Sequence, residues 1–485
     1  VTFCTFFLSG VSAEIRGCGE ARNARIQRIF IKKSYFFHVK KLNFSLDGLL
    51  VGQNSSRVKK QGDFIMADNK KPHVVIVGAG FGGIKVAKLL AKENVDITIV
   101  DRFNYQLFQP LLYQVSTAVL DTDEIAYPIR SFFRNNKNVD LFMAKATGAD
   151  QARKVLLTNH GEVPYDYLVL AAGATTNFFG MKEVQEHSYG MKTLQEAIHI
   201  RNHALHMFER ANKLGPEDDA LRREMLTFVV VGGGPTGIEE AGALSELIGI
   251  QKKEFHNLDF DGVGVTLIEA TPNVLPMMPQ ELRDKTVEIL RGKGVNVMLD
   301  TQVVGYDGHT LRLKNGSTIP TRTVIWAAGV KSVPFIAECG GEVDRAGRII
   351  VEENMLVKGS DSVFAIGDCA HYQHGTERPL PTIAPVATQQ AAVTAENIMK
   401  LIRGDKNLAT LHYKDLGAMA TIGRGKAVMA KGSMRMSGFF AWCAWMLVHL
   451  MRLAGAHTNF TVALKWTWNL LSGIRLGRII TNIKD

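Results

Sequence analysis

The chain has 485 residues, too many for one ordinary core, so two or three domains are expected. With 46% hydrophobic and 21% charged residues it is globular and not disordered. Its net charge of +10 is uneven: residues 1–65 hold eleven Lys/Arg against four Asp/Glu, so the remainder is only mildly basic and no nucleic-acid partner is read.

The first 65 residues contain no methionine, whereas the rest of the chain holds all 17. Met66-Ala67-Asp68-Asn69-Lys70-Lys71 then leads directly into an apolar strand. Residues 1–65 therefore read as an upstream extension. A targeting peptide is the rival reading, because the segment is rich in Arg and Ser and poor in acids. The basic residues that should precede the apolar run Val1 to Ala13 are missing, which favours the extension.

The strand Val74 to Val77 runs into Gly78-Ala79-Gly80-Phe81-Gly82-Gly83, and Ile84 to Leu90 continues as a helix. Gly78, Gly80 and Gly83 have the G-x-G-x-x-G spacing. The first makes a tight turn, the second lets backbone approach a pyrophosphate, and the third packs helix on strand. The helix N-terminus offers free N–H groups to the phosphates. A second strand, Asp96 to Val100, ends at Asp101, 23 residues after Gly78, where a ribose hydroxyl needs an acid. Bracketed by strands and closed by an acid, the motif points to a dinucleotide.

Val163 to Tyr167 and Leu311 to Ile319 look like hairpin strands, the latter around Asn315-Gly316. Leu194 to Leu214 is an amphipathic helix stopped by Gly215-Pro216. The opening motif then repeats. Phe228 to Val231 precedes Gly232-Gly233-Gly234-Pro235-Thr236-Gly237, and the next strand, Gly264 to Ile268, ends at Glu269. That gap of 37 residues leaves room for an extra segment at about Ile248 to Leu258. Each unit closes on a strand followed by Ala-Ala-Gly. Gly173 lies 95 residues after Gly78, and Gly329 lies 97 after Gly232. Two dinucleotide-binding folds in one chain are the economical explanation, and electron transfer between their nucleotides is the commonest use.

The cysteines are Cys4, Cys18, Cys339, Cys369 and Cys443, with no close pair among them. A zinc knuckle, a local dithiol relay and a disulfide framework are all unsupported, no metal site is read, and a reducing compartment is the default.

The stretch Asp101-Arg102-Phe103-Asn104-Tyr105-Gln106-Leu107-Phe108-Gln109-Pro110-Leu111-Leu112-Tyr113-Gln114, followed by Ile125-Ala126-Tyr127-Pro128-Ile129-Arg130, is more specific than the glycines. With Val363-Phe364-Ala365-Ile366-Gly367-Asp368 it resembles the two-dinucleotide-binding-domain flavoproteins. Within them, it is similar to the type II, non-proton-pumping NADH:quinone oxidoreductases, over about Pro72 to Lys484. The resemblance implies an α/β fold of two Rossmann-like domains, the NADH domain (186–332) inserted in the FAD domain (66–185 and 333–405), with a C-terminal membrane-associating region (406–485). It assigns FAD to Gly78, Gly80, Phe81, Gly82, Gly83, Asp101, Arg102, Gln109, Ala172, Gly173 and Asp368. It assigns NADH to Gly232, Gly234, Pro235, Thr236, Gly237, Glu269, Ala328 and Gly329. Asp368, at the end of a strand, suits a ribityl hydroxyl; alternatively it caps a following helix. Glu269 favours NADH over NADPH, since a carboxylate accepts from a 2′-hydroxyl and repels a 2′-phosphate.

Pro379 to Gln390 resembles the stretch that lines the flavin ring and the quinone pocket in that family. Here Ala384-Pro385 stands where many members have Ala-Gln, and Gln389 matches the second glutamine, a donor to a quinone carbonyl or else a plain polar helix residue. Glu239 matches a family glutamate. It is read as a proton relay or as an acid favoured by the helix dipole.

Residues 424–485 hold nine Lys/Arg, one acid and four of the five tryptophans: Trp442, Trp445, Trp466 and Trp468. The uncharged stretch Met436 to Met451 would reach ~24 Å as a helix, short of a ~30 Å hydrocarbon core. It is expected to lie in a membrane interface as an amphipathic anchor, with Val462 to Leu471 as its partner and tryptophans and arginines flanking. A buried core or dimer helix is the alternative. The resemblance thus implies a monotopic flavoenzyme that collects a membrane quinone, with a homodimer left open. It would sit on the cytoplasmic face of a bacterial inner membrane, or on the mitochondrial inner membrane if the leader is a transit peptide. Sulfide:quinone reductases, which use widely spaced cysteines, and other FAD/NAD(P)H reductases of the same fold are the rival enzymes.

Overall fold

A computed structural model describes residues 71–481 except 376 and 476, and the reading of residues 1–65 lies outside them. Two five-stranded parallel sheets organise the described chain. Strand β1 (His73–Val77) is apolar and β-branched after its first residue, and Val74 to Val77 are buried. Continuous apolar runs of this kind mark strands covered on both faces.

From β1 the chain enters helix α1 (Phe81–Leu90) and returns through β2 (Asp96–Asp101). Helix α2 (Leu112–Ser116), β3 (Val139–Met143) and β4 (Tyr167–Leu170) follow. The second unit begins with β5 (Tyr189–Gly190), helix α3 (Leu194–Ala211), β6 (Thr227–Val231) and helix α4 (Pro235–Glu254). It continues with β7 (Gly264–Ile268), helix α5 (Gln280–Gly292), β8 (Val295–Met298) and β9 (Thr323–Trp326). Only then does β10 (Val363–Ala365) pair beside β4. The first sheet runs β10-β4-β1-β2-β3 and the second β5-β9-β6-β7-β8, so the glycine-bearing strand is central in both. Chain segments leaving and re-entering the first unit pair antiparallel, Ala174–Thr176 with Val330–Ser332.

Two local expectations change. The extra segment about Ile248 to Leu258 is mostly the continuation of α4, which runs unbroken to Glu254. The strand over Val163 to Tyr167 is two strands. Gly161–Pro164 belongs to an antiparallel meander, and β4 belongs to the parallel sheet. Between them the Tyr165 N–H donates to Lys154 and the Asp166 N–H to His73, so the chain changes partner there. Helix α3 starts as its sequence indicates, with Thr193 and Glu196 forming a capping box, and it ends at Ala211.

After β10, helix α6 (Ala384–Ile402) packs on α1. A meander follows, β11 (Ala418–Thr421), β12 (Ala427–Lys431) and β13 (Met434–Gly438), and then helices α7 (Phe439–Arg452) and α8 (Ala456–Ser472). The helix expected from Met436 therefore begins three residues later. Met436 to Gly438 pair with Ala427 to Met429, and Gly438 turns the chain at φ +80. The partner helix starts at Ala456, six residues before the expected Val462.

The tryptophans also depart from expectation. Trp442, Trp445 and Trp466 are buried against the body, and only Trp468 of the four is exposed. Burial follows from their partners. Trp466 Nε1 donates to Gln114 Oε1 at 2.7 Å, and the Trp445 ring stacks on His449 at 3.9 Å and meets Trp466 at 5.7 Å. Large aromatic rings dominate such packing. Beyond α8, the Arg475 guanidinium, 1% exposed, donates to Thr117 O at the end of α2 and to Ala243 O in α4. It also pairs with Glu246 at 2.8 Å. One buried charge thus holds the tail to both units, and breaking such a pair costs about 3–5 kcal/mol.

Candidate active site

At the end of β1, Gly78 adopts φ +101, and a Cβ there would stand 2.4 Å from Ala171 O. A Cβ on Gly83 would stand 1.9 Å from Gly78 O, so α1 lies directly on the turn. The second unit repeats this: Gly232 has φ +117, and a Cβ on Gly237 would stand 1.9 Å from Gly232 O. The middle glycines differ. Around the position of a Cβ on Gly80 or Gly234 there is no atom within 4 Å. Both are helix N-caps without a side-chain cap, which leaves the first N–H groups of α1 and α4 free. Open space before free N–H groups at a helix start suits a phosphate, and the described residues form two such cradles.

The residues around each cradle are laid out alike. Gly82 is buried under Ile366, and the Phe81 ring meets Phe108 edge-on at 5.5 Å. Pro235 takes the first turn of α4, where a missing N–H costs nothing, and Thr236 is exposed beside it. Ala172 and Gly173 follow β4, and Ala328 and Gly329 follow β9, all half-buried at the rim of the glycine turns. Asp101 accepts from the Ala79 N–H (2.7 Å) and the Phe103 N–H (2.8 Å). Burial pushes its carboxyl above the usual range, and those N–H groups pull the other way. Glu269 accepts from the Gly233 N–H (2.5 Å) and the Thr271 N–H (2.9 Å). Each acid braces its own turn, and each carboxylate oxygen keeps a second lone pair for a ribose hydroxyl. Arg102 is exposed over the Phe103 ring, 4.9 Å from its centroid.

Asp368 stands in the turn Gly367–Cys369, with Lys192 Nζ 3.6 Å from its Oδ2. It does not cap a helix. The Gly367 N–H donates to Gln390 Oε1 at 2.6 Å, and the Gln109 amide reaches Lys192 O at 3.4 Å. Lys192 and Gln390 were missed in sequence; Gln390 adjoins a singled-out residue, whereas nothing marked Lys192. Gln389 is held by the segment that follows α6. Its amide donates to Lys414 O (3.0 Å) and accepts from the Lys414 N–H (2.9 Å), so it straps α6 to the following segment and keeps one N–H beyond that pair. Ala384 and Pro385 open α6 half-buried, and Pro at that position leaves the helix intact.

Glu239 lies on the first turns of α4, buried, and its Oε1 accepts from the Thr421 N–H at 3.4 Å. Glu240 beside it is fully buried. Its Oε2 accepts from Ser116 Oγ at 2.7 Å, and its Oε1 has no protein partner. Burial pushes both carboxyls up to about 8. The sign follows: their contribution to stability is complete below about 4.5 and is lost as pH rises through about 8. Two of the thiols, Cys339 and Cys369, are shut away from solvent. Burial pushes them up to about 12 and about 11, and Cys369 Sγ donates to Leu170 O and Ile366 O. No cluster of described residues could hold a metal.

Comparison with known proteins bears on these cradles. The pyridine nucleotide-disulphide oxidoreductase family matches residues 72–391. The type II NADH:quinone oxidoreductase NdhA of Mycobacterium tuberculosis is 37% identical over 426 residues, 84% of this chain and 89% of that protein. A type II NADH:quinone oxidoreductase of Staphylococcus aureus is 30% identical over 372 residues, 74% of this chain and 89% of its own length. The structure of NDH2 from Plasmodium falciparum in complex with NADH shares the fold at a TM-score of 0.76 and 22% identity, covering 85% of this chain and 100% of that one.

The two kinds of glycine separate in a test. Gly234→Ala should leave the unfolding free energy within about 1 kcal/mol, yet weaken nucleotide binding tenfold or more, about 1.4 kcal/mol. Titration calorimetry and denaturant unfolding on the same protein check both. Equal affinity in the variant would show that no phosphate sits at Gly234.

Proposed function

The chain belongs to the type II NADH:quinone oxidoreductases within the pyridine nucleotide-disulphide oxidoreductase family, and we propose how its residues divide that reaction. It oxidises NADH and reduces a quinone. FAD occupies the first cradle. Asp368 supports this assignment, because it adds a second carboxylate at the end of β10, suited to a ribityl hydroxyl, with Gly367 held in place by Gln390. NADH occupies the second cradle, where Glu269 receives the ribose hydroxyl. The flavin supplies the hydride and electron chemistry, and the protein supplies position, charge and exclusion of water.

Glu239 holds the proton that quinone reduction requires. The observation that carries this reading is its burial at the start of α4, which keeps the carboxyl protonated at neutral pH. A neutral acid there can donate to a quinone oxygen and take its proton back from water. Ala384 and Pro385 open α6, whose Ala387 lies beside Gly82 and Gly367, and they offer an apolar wall for the quinone ring. The buried thiols count against the sulfide-type alternative.

A peripheral membrane position is proposed for α7 and α8. Phe440, Leu447 and Met451 form one exposed stripe, and Phe460, Leu464, Trp468 and Leu471 form another, with Phe440 75% and Leu471 79% exposed. Spacings of four, seven and eleven put each set on one helix face. Among the described residues no helix is long and apolar enough to cross a membrane, so the pair would lie in the interface.

Two measurements test these assignments. In anaerobic rapid mixing, NADH should bleach the flavin band and a short-chain quinone should restore it. Glu239→Gln should slow only the restoration, by about 10²-fold, and abolish the fall in its rate as pH rises through about 8. A flavin that NADH leaves untouched while sulfide bleaches it would overturn the donor assignment. Phe440→Asp combined with Leu471→Asp should release the protein from sedimenting lipid vesicles with its flavin content unchanged. Undiminished sedimentation would remove α7 and α8 as the anchor.

A further inference from the structure

The reaction leaves one proton to be found. NADH, quinone and one proton give NAD⁺ and quinol, so the nicotinamide supplies two electrons and one proton and water supplies the other. We infer that this second proton reaches Glu239 along a buried hydrogen-bond chain, from a small cavity beneath the C-terminal helices through the Tyr113 hydroxyl and Thr421. The inference rests on the reading of Glu239 as the proton donor.

The cavity has a volume of about 40 Å³ and is lined by Tyr113, Gln114, Glu246, Trp445, Trp466 and Arg475. A water needs about 10–15 Å³ of such space and two or more polar partners. A few waters therefore fit, and the Glu246 and Arg475 side chains give them partners. Tyr113 and Thr421 are both buried, and their hydroxyl oxygens are 2.9 Å apart. Its neighbours narrow the hydrogen-bonding roles open to this pair. Trp466 Nε1, which can only donate, fixes Gln114 Oε1 as an acceptor at 2.7 Å. The Gln114 amide nitrogen must then donate to the Tyr113 oxygen, at 2.9 Å. Tyr113 is left with its own proton and one lone pair to share between Thr421 Oγ1 and a cavity water, and the path runs when the proton faces Thr421. Thr421 borders Glu239, since its backbone N–H donates to Glu239 Oε1 at 3.4 Å, and the last transfer is assigned to the hydroxyl of that same residue.

Transfer through this path balances at each atom. A proton from a cavity water or hydronium forms a new O–H bond on the Tyr113 oxygen as the old one breaks toward Thr421. The Thr421 hydroxyl gives up its proton in turn, and Glu239, left as a carboxylate by donation to the quinone, receives it. Burial holds the Tyr113 phenol well above its usual range, so it passes a proton only as it takes one and does not stand ionised. The charged or titratable groups around the path are Glu240 and Glu246 on α4 and Arg475 on the tail, with Glu246 held ionised by Arg475 and Lys293.

Tyr113→Phe and Thr421→Val in the full-length holoenzyme test the path, since each removes one hydroxyl and little volume. NADH-reduced protein is mixed with a short-chain quinone in H₂O and in D₂O, and separately with ferricyanide, which accepts electrons without protons. Both variants should restore the flavin band with quinone about 10²-fold more slowly, and more slowly still in D₂O. Ferricyanide should restore it at the unaltered rate. An unchanged quinone step in either variant overturns the path, as does an equal loss with ferricyanide, which would place the defect in the flavin's surroundings. Bleaching by NADH is recorded in the same mixing, so failure of the parent assignment shows itself separately.

Discussion

Removal of two adjacent carboxyls from water, at the start of α4, is the constraint on which the rest of the structure turns. A helix N-terminus favours an ionised acid by about 0.3–1 kcal/mol. Here desolvation opposes it and wins: raising a carboxyl from 4.5 to about 8 corresponds to about 5 kcal/mol. The elements that impose this burial lie far along the chain. β11 places Thr421 on Glu239, and α2 places Ser116 on Glu240. Arg475, from beyond α8, closes the rear by holding α2 and α4 together.

The same economy appears in the paired sheets. Each central strand ends in a turn whose outer glycines are fixed by contact, Gly83 on Gly78 and Gly237 on Gly232, and whose middle glycine faces open space. Contact fixes the fold, and the open position receives the ligand. An aromatic series then links the first turn to the C-terminal helices: Phe81 to Phe108, Phe108 to His449, and His449 to Trp445. His449 remains neutral in it, because burial pushes its imidazole down to about 4.

Features set by local spacing were legible in the sequence. Both glycine turns, Asp101 and Glu269 at the ends of their strands, and the capping of α3 depend on residues a few positions apart or on simple strand–helix alternation. Features set by distant contacts were not. Gln389 carries a family position, yet its amide is paired with the backbone of Lys414, 25 residues on, which no local pattern announces. Tyr113 and Trp466 meet through Gln114 across more than 350 residues. Three tryptophans that composition places at a membrane surface are buried because α7 and α8 turn them onto the body, leaving phenylalanine and leucine outside. Glu240 gave a weak signal, a second acid in an otherwise apolar helix start, whose meaning depends on the Ser116 hydroxyl 124 residues earlier.

Infrared difference spectroscopy of the purified protein, titrated from neutral to alkaline pH, measures the neutral acid itself. The account predicts a carboxylic-acid C=O band at pH 7 that disappears as pH rises through about 8 and is diminished in Glu239→Gln. A spectrum at pH 7 with no protonated-carboxyl band, or one that Glu239→Gln leaves unaltered, would contradict it.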